Sequence, residues 1–164
     1  MSDIAAGGVA VRAVRPDESG LLPLLVDLQV RMAEETEGLA LDRATVARGM
    51  AAVLADPAKG EYWVAVRQDG AAETIVGMLL VTFEWSDWRD ATVLWVQSVY
   101  VVPEARGQGV YRLLYENLKR RVERNPRLAG IRLYVDRRNT AAQRVYERLG
   151  MTREHYELFE WLKG

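Results

Sequence analysis

Apolar and polar positions alternate along Val9-Ala-Val-Arg-Ala-Val14, the pattern of a half-buried strand, after a small-residue leader. Pro16-Asp-Glu18 then opens a segment with Leu21, Leu24, Leu25, Leu28 and Met32 at helical spacing. Ala33 to Leu41 is acidic and reads as a loop. Asp42 caps a second helix with Val46, Met50, Val53 and Leu54 inward, and Asp56-Pro57 ends it, since proline disfavours helix in the residue before it. Two β-rich runs, Glu61 to Arg67 and Thr74 to Phe83, flank a turn at Asp69-Gly70 as an antiparallel pair would. Glu84 to Asp90 is a loop or hairpin end with two tryptophans and three acids, and a third run, Thr92 to Val102, stops at Pro103.

Val110, Leu113, Leu114, Leu118 and Val122 mark an amphipathic helix that ends near Asn125-Pro126. Ile131 to Val135 is a short strand. Asn139 and Thr140 cap a further helix carrying Ala142, Val145, Tyr146 and Leu149, with Gly150 at the position after the helix where positive φ costs glycine least. A last strand is predicted over about Thr152 to Trp161. The order β, α, α, β, β, β, α, β, α, β is that of an α/β (α+β) fold, a mixed sheet with helices packed on it. With 164 residues and neither repeat nor linker, a single domain over 1–164 is expected, with 1–8 as a flexible leader.

Composition narrows the chemistry. Apolar residues at 49% and charged residues at 27% exclude disordered and collagen-like chains. The absence of cysteine removes disulfides, thiolate zinc sites and a cysteine nucleophile, and fits a reducing compartment. One histidine, His155, cannot build a multi-histidine metal site, and no G-x-S-x-G elbow accompanies it, so no metal is expected. His155 falls on the last predicted strand and suits a packing role better than a catalytic one. The longest uncharged stretch, Ala91 to Pro103, is thirteen residues against the roughly 20 of a membrane helix. The N-terminus lacks the pattern of a secretory signal, so the expectation is a cytoplasmic protein without a membrane partner.

Net charge is −1, but residues 104–148 hold twelve Arg and Lys against five Asp and Glu, while residues 1–103 hold eight against fifteen. A basic segment in an acidic chain suits a polyanionic small ligand; the acidic remainder disfavours nucleic acid and suits a cationic acceptor. Solvated helix faces account for the basic run equally well, since Lys119, Arg120, Arg121 and Arg124 crowd one helix.

The stretch Val99-Tyr-Val-Val-Pro-Glu-Ala-Arg-Gly-Gln-Gly-Val-Tyr-Arg112 leads a strand through a glycine turn into the amphipathic helix. A helix start leaves backbone N–H groups without intrahelical partners and carries about half a positive charge, so phosphate oxygens bind there. Gly107 and Gly109 let phosphates approach the backbone; the alternative is that they only make a turn. No Lys-Ser/Thr follows to make a Walker loop, and Arg112 stands where a dinucleotide fingerprint has its third glycine.

These residues resemble the signature of the GNAT family of acyl-CoA-dependent N-acetyltransferases: a strand ending near Val-x-Pro-Glu, then Arg106-Gly-Gln-Gly109-Val-Tyr111. Asn139, Ala142, Tyr146 and Gly150-Met151 resemble a second family feature, and the likeness runs from Val9 to Trp161. Tyr111 departs from the family pattern, which has Gly or Ala there. The resemblance implies a mixed, mostly antiparallel sheet of six or seven strands flanked by four helices, with a splayed strand pair at the coenzyme A site. It implies acetyl-CoA as co-substrate, held by Val99, Tyr100, Val101, Arg106, Gly107, Gln108, Gly109, Val110, Tyr111 and Arg112. The N–H groups near Val99 and Val101 would act as an oxyanion hole, and Asn139 and Ala142 would flank the pantetheine arm. Tyr146 would give a proton to the departing thiolate. A thiol with a pKa of about 8.5 benefits from such a donor, although a tyrosine packed on a helix face fits the same spacing.

The activity implied is direct transfer of acetyl from acetyl-CoA to a primary amine of a small molecule or peptide, without a covalent enzyme intermediate. Many relatives carry a strand glutamate where this chain has Gln97, which cannot act as a base. Glu84 is the first substitute as general base, with Glu35, Glu37 and Asp87 behind it. Glu35, Glu84, Trp85, Asp87 and Trp88, with Trp95, are candidates for an aromatic and acidic wall around a cationic amine, local packing of the tryptophans being the alternative. Relatives often dimerise, which makes a homodimer an expectation. Gln97 and Tyr111 also fit a second reading, a CoA-binding regulatory module with little or no turnover. A general nucleotide site at Gly107 and Gly109 is a third.

Overall fold

The computed structural model describes residues 8–70, 72–153 and 157–163. They fall into two compact units, one reaching to Tyr134 and one from Val135 onward. In the first unit, β1 (Val9–Ala13), β2 (Glu61–Asp69), β3 (Ala72–Ser86), β4 (Ala91–Val101) and β5 (Leu128–Leu133) form one sheet in the order β1-β2-β3-β4-β5. Every pair is antiparallel except β4 with β5, which is parallel and is connected through a helix, as parallel neighbours require. The α/β (α+β) class and the mixed, mostly antiparallel sheet are as expected, with five strands among the described residues in place of six or seven.

The helices are α1 (Leu22–Glu37), α2 (Arg43–Ala55) and α3 (Val110–Arg124) in the first unit and α4 (Thr140–Arg148) in the second. Helix α3 lays Val110, Leu113, Leu114 and Leu118 on one sheet face against Val11, Leu79, Val81 and Leu94. Helices α1 and α2 place Leu25, Leu28 and Met50 on the other face, against Val64, Met78 and Tyr100. Each fully buried aliphatic side chain of this kind contributes about 1.5–3 kcal/mol. Near its C-terminal end α3 is tied to β2 through Arg121, whose guanidinium takes both oxygens of Glu61 and lies 5.7 Å from the Trp63 ring centre.

Four sequence expectations change. The short strand expected over Ile131 to Val135 is β5 at Leu128–Leu133, which leaves Tyr134 and Val135 beyond its end. Ala33 to Glu37 is helical, because a polar run continues a helix already nucleated, and α1 stops at Gly38 with φ +67°. Glu84 to Ser86 belongs to β3, so the connection to β4 is a tight turn with Asp90 at φ +47°. Of the final strand expected over Thr152 to Trp161, residues 152–153 and 157–161 carry no strand, and 154–156, with His155, lie outside the described residues. A strand forms only where a neighbouring edge takes its hydrogen bonds, and no described strand pairs with these residues. Residues 1–7 of the expected leader also lie outside the described residues.

Gly77 fixes how closely α3 approaches the sheet. A Cβ there would stand 3.1 Å from the Val110 side chain, 3.2 Å from the Tyr100 carbonyl oxygen and 3.5 Å from Leu114. Gly77→Val should therefore lower the unfolding free energy by about 1–3 kcal/mol through overpacking. Gly49→Ala, in the exposed part of α2 with nothing within 4 Å of the new methyl group, should raise it by about 0.5–1 kcal/mol. Urea unfolding of the two variants checks both signs.

Candidate functional site

Strand β4 changes phase at Gln97. Leu80 pairs with Ser98 and Val81 with Val96, so Gln97 is an extra residue, a β-bulge. Before the bulge, the Thr92 N–H donates to the Arg127 carbonyl on the β5 side. After it, the Val102 N–H donates to Val76 on the β3 side at 3.1 Å, so by alternation Tyr100 and Ser98 turn to β3 as well. Val99 and Val101 then direct their backbone groups the other way, and the Val101 carbonyl accordingly accepts from Arg106 Nε at 2.9 Å. Pairing with β5 ends at Val96 and Leu133, so no β5 residue covers this edge. The edge of β4 at Val99 to Val101 is therefore without a paired strand on the β5 side among the described residues, and the bulge selects which residues face it.

The glycine turn follows at once. Gly107 and Gly109 have φ +74° and +80°, a left-handed conformation that costs other residues about 1–2 kcal/mol. Gly109 is the cap residue of α3 and has no side chain to satisfy the first-turn amides. The Arg112 guanidinium curls back to within 3.5 Å of where a Gly109 Cβ would stand, adding positive charge to the helix start. The Gln108 side chain is engaged elsewhere, accepting from Arg67 and donating to the Glu104 carbonyl, each at 2.8 Å. The Tyr111 ring lies along the helix against Tyr115, centres 6.4 Å apart and 20° from parallel.

Glu35, near the end of α1, is bound on both oxygens. Arg106 Nη2 donates to one at 2.6 Å and the Tyr100 hydroxyl to the other at 2.7 Å. Arg106 also lies over the Tyr100 ring at 5.4 Å. The Arg106 guanidinium, then the Tyr100 hydroxyl, hold the Glu35 carboxyl below its ordinary range; burial, then Glu35, push Tyr100 up. This network joins residues 71 positions apart, and no local sequence pattern announces it.

A cavity of about 250 Å³ opens beside the bulge, lined by Thr82, Phe83, Glu84, Trp95, Gln97 and Tyr134. Gln97 donates its side-chain amide to the Thr82 hydroxyl at 2.8 Å. Glu84 accepts from Arg132 at 2.5 Å, and Trp95 packs against Tyr134 with ring centres 4.7 Å apart. Of the acidic and aromatic residues proposed for an acceptor wall, only Glu84 and Trp95 line this cavity. Trp85 and Trp88 are 62% and 85% exposed at the hairpin end, and Asp87 caps the Trp88 amide. Glu37 is the exposed last residue of α1. Arg132 and Tyr134 were not singled out by the sequence; the register of Arg132 opposite Trp95 and the ring contact of Tyr134, one residue past β5, give them away.

In the second unit, the Asn139 side chain caps α4 by accepting from the Ala142 amide at 3.0 Å. Asp136, bound by Arg138, is pulled down to about 2 and braces the turn before the helix. Ala142 and Tyr146 are four residues apart and so share one face of α4, and burial pushes the Tyr146 phenol up. Among the described residues no group of three or more His, Asp or Glu could hold a metal ion. No described helix is long and apolar enough to cross a membrane.

Residues 25–151 match the model of the acetyltransferase (GNAT) family. A possible acetyltransferase from Clostridium difficile 630 is 34% identical, with a TM-score of 0.85 over 94% of this chain and 97% of that one. A transcriptional regulator from Bacillus halodurans C-125 is 26% identical, with a TM-score of 0.71 over 94% and 99%. A ribosomal-protein-alanine N-acetyltransferase from Brucella melitensis biovar Abortus 2308, 17% identical with a TM-score of 0.70 over 94% and 99%, shares the fold. No curated protein sequence matches the chain.

The Glu35 network generates a pH signature. Its folded pKa lies below the unfolded value of about 4.3, so its stabilisation is present above that pH and is lost as pH falls through the folded value. Wild type should melt higher than Glu35→Gln at pH 7, and the gap should close on acidification below about pH 4. A gap that stays constant down to pH 3 would show that the ionised carboxylate contributes nothing.

Proposed function

Since the chain belongs to the GNAT acetyltransferase family, we propose that it transfers acetyl from acetyl-CoA directly to a primary amine within a ternary complex. The observation that carries this reading is the edge of β4 at Val99 and Val101, with which no described strand pairs on the β5 side, followed directly by the Gly107–Gly109 turn at the start of α3. A strand edge suits an extended amide-bearing arm, and a helix start suits a diphosphate. The residues present fit coenzyme A in these two respects.

Acetyl-CoA supplies an activated acetyl carbon on a thiol leaving group. The backbone from Arg106 to Arg112 takes the diphosphate, with Arg112 adding charge beside Gly109. The amides of Val99 and Val101 hold the acetyl oxygen and favour the charge that builds on it. Arg106, anchored to Glu35, braces the strand at the Val101 carbonyl. By the family resemblance, Asn139 and Ala142 would flank the pantetheine arm. As the N–C bond forms and the C–S bond breaks, the Tyr146 hydroxyl would give its proton to sulfur and regain one from solvent, burial favouring the neutral phenol. Proton uptake from the amine falls to water. Glu35 is taken on both oxygens, and Glu84 would lose its ion pair with Arg132 on accepting a proton.

Titration calorimetry should give micromolar binding of acetyl-CoA and much weaker binding of ATP and NAD. Gly109→Ala, which puts a side chain at φ +80°, should weaken acetyl-CoA binding about tenfold, the equivalent of a strain of about 1–2 kcal/mol. Tyr146→Phe should lower turnover on a productive amine at least about tenfold with little change in acetyl-CoA affinity. An unchanged rate would remove Tyr146 from the mechanism. Tight CoA binding with no acetylation across a broad amine panel would indicate a binding module.

A further inference from the structure

We propose that the cavity at Glu84 is the acceptor pocket, and that it selects a small amine carrying a second ammonium group away from the reacting nitrogen, with Glu84 as its counter-ion. The inference rests on the acetyltransferase reading above and adds the class of acceptor.

The lining decides the sign of the ligand. Glu84 is the only charged residue among the six that line the cavity; three are aromatic and two are neutral and polar. Aromatic faces attract ammonium groups through their electron-rich centres, and a carboxylate completes the attraction. Gln97 is turned so that its Nε2 donates to Thr82, which leaves its carbonyl oxygen as a further acceptor. Beside the cavity, the half-exposed Arg132 already uses the same two kinds of group. Its Nη1 donates to Glu84 Oε1 at 2.5 Å, and its guanidinium carbon lies 5.9 Å from the Trp95 ring centre. A cation of the chain itself thus demonstrates what this environment accepts, and its hydrogen bond takes one carboxylate oxygen.

Size and position agree. A volume of about 250 Å³ lies below the roughly 300–1,000 Å³ of drug-sized pockets, so it admits a short chain with one head group. Gln97 is both a cavity wall and the bulge residue, two positions before Val99, a separation of roughly 7 Å along a strand. Glu84 itself pairs with Val93, farther from Val99 than Gln97 is, so an amine whose far end is held there must cross the cavity past Gln97 to reach the edge of β4. A carboxylate in place of the second ammonium would meet the Glu84 charge, and a hydroxyl would forgo it.

The test compares diaminopentane, aminopentanol and aminopentanoate, each with a terminal primary amine, by calorimetry on the full chain with CoA present. Diaminopentane should bind at least about tenfold tighter than the other two. Replacing Glu84 and Arg132 should act in opposite directions, since one change removes a negative charge and the other a positive one. Glu84→Gln should reduce diaminopentane to the level of aminopentanol, and Arg132→Gln should tighten it severalfold. Equal affinities, preference for aminopentanoate, no binding of the diamine, or weakening by both variants would each overturn the proposal. Acetyl-CoA titrated separately keeps the two readings apart. If it binds and the diamine does not, only the acceptor class fails; if the diamine binds as stated and acetyl-CoA does not, the pocket stands and the acetyltransferase reading fails.

Discussion

Backbone hydrogen bonds in a sheet must be taken by a neighbour, and here the neighbour ends early. Strand β5 pairs with β4 only from Thr92 to Val96, yet β4 runs on to Val101 with its other side held by β3. The bulge at Gln97 reverses the alternation of β4, so that Val99 and Val101 face the uncovered side while Tyr100 is buried between β4 and helix α1. Polar backbone groups on such an edge require water or a ligand, which makes the gap the feature that the rest of the site is built around. Helix α3 starts just beyond it, seated close to the sheet because Gly77 has no side chain.

Charge is then arranged around this gap in linked pairs. Glu35 holds Arg106 and Tyr100, which brings the end of α1 to the strand edge without leaving an unpaired carboxylate. Arg132 holds Glu84 on the wall of the cavity beside the bulge. Exposed pairs of this sort contribute little to stability individually, so their value lies in orientation. The sequence asymmetry, acidic up to Pro103 and basic beyond it, accordingly becomes specific pairs across the fold, with Arg112 left at the helix start for an anion.

Local chemistry was legible where it depends on neighbours in the chain. The caps at Asp42 and Asn139 and the span of α3 follow from spacing and residue type, and so do the positive φ of Gly150 and the turn at Gly107 and Gly109. Where partners are distant, the sequence was silent. The Glu35–Arg106 pair, the single-residue bulge at Gln97 and the place of Arg132 and Tyr134 arise only when strands are set side by side. Charged residues also misled. The run Glu34-Glu35-Thr36-Glu37 lacks an apolar face and reads as loop, but glutamate extends a helix well once α1 is packed. Trp85 and Trp88 read as part of an acceptor wall, yet alternation along β3 turns Trp85 away from Glu84, and Trp88 stands in solvent.

Amide hydrogen exchange on β4, with and without coenzyme A, tests the central claim most directly. Ser98 and Tyr100, paired with β3, should exchange slowly in both states. Val99 and Val101 should exchange fast in the free protein and slow sharply when the ligand is added. Protection that is uniform along residues 98–101, or a ligand that leaves Val99 and Val101 unchanged, would contradict the account.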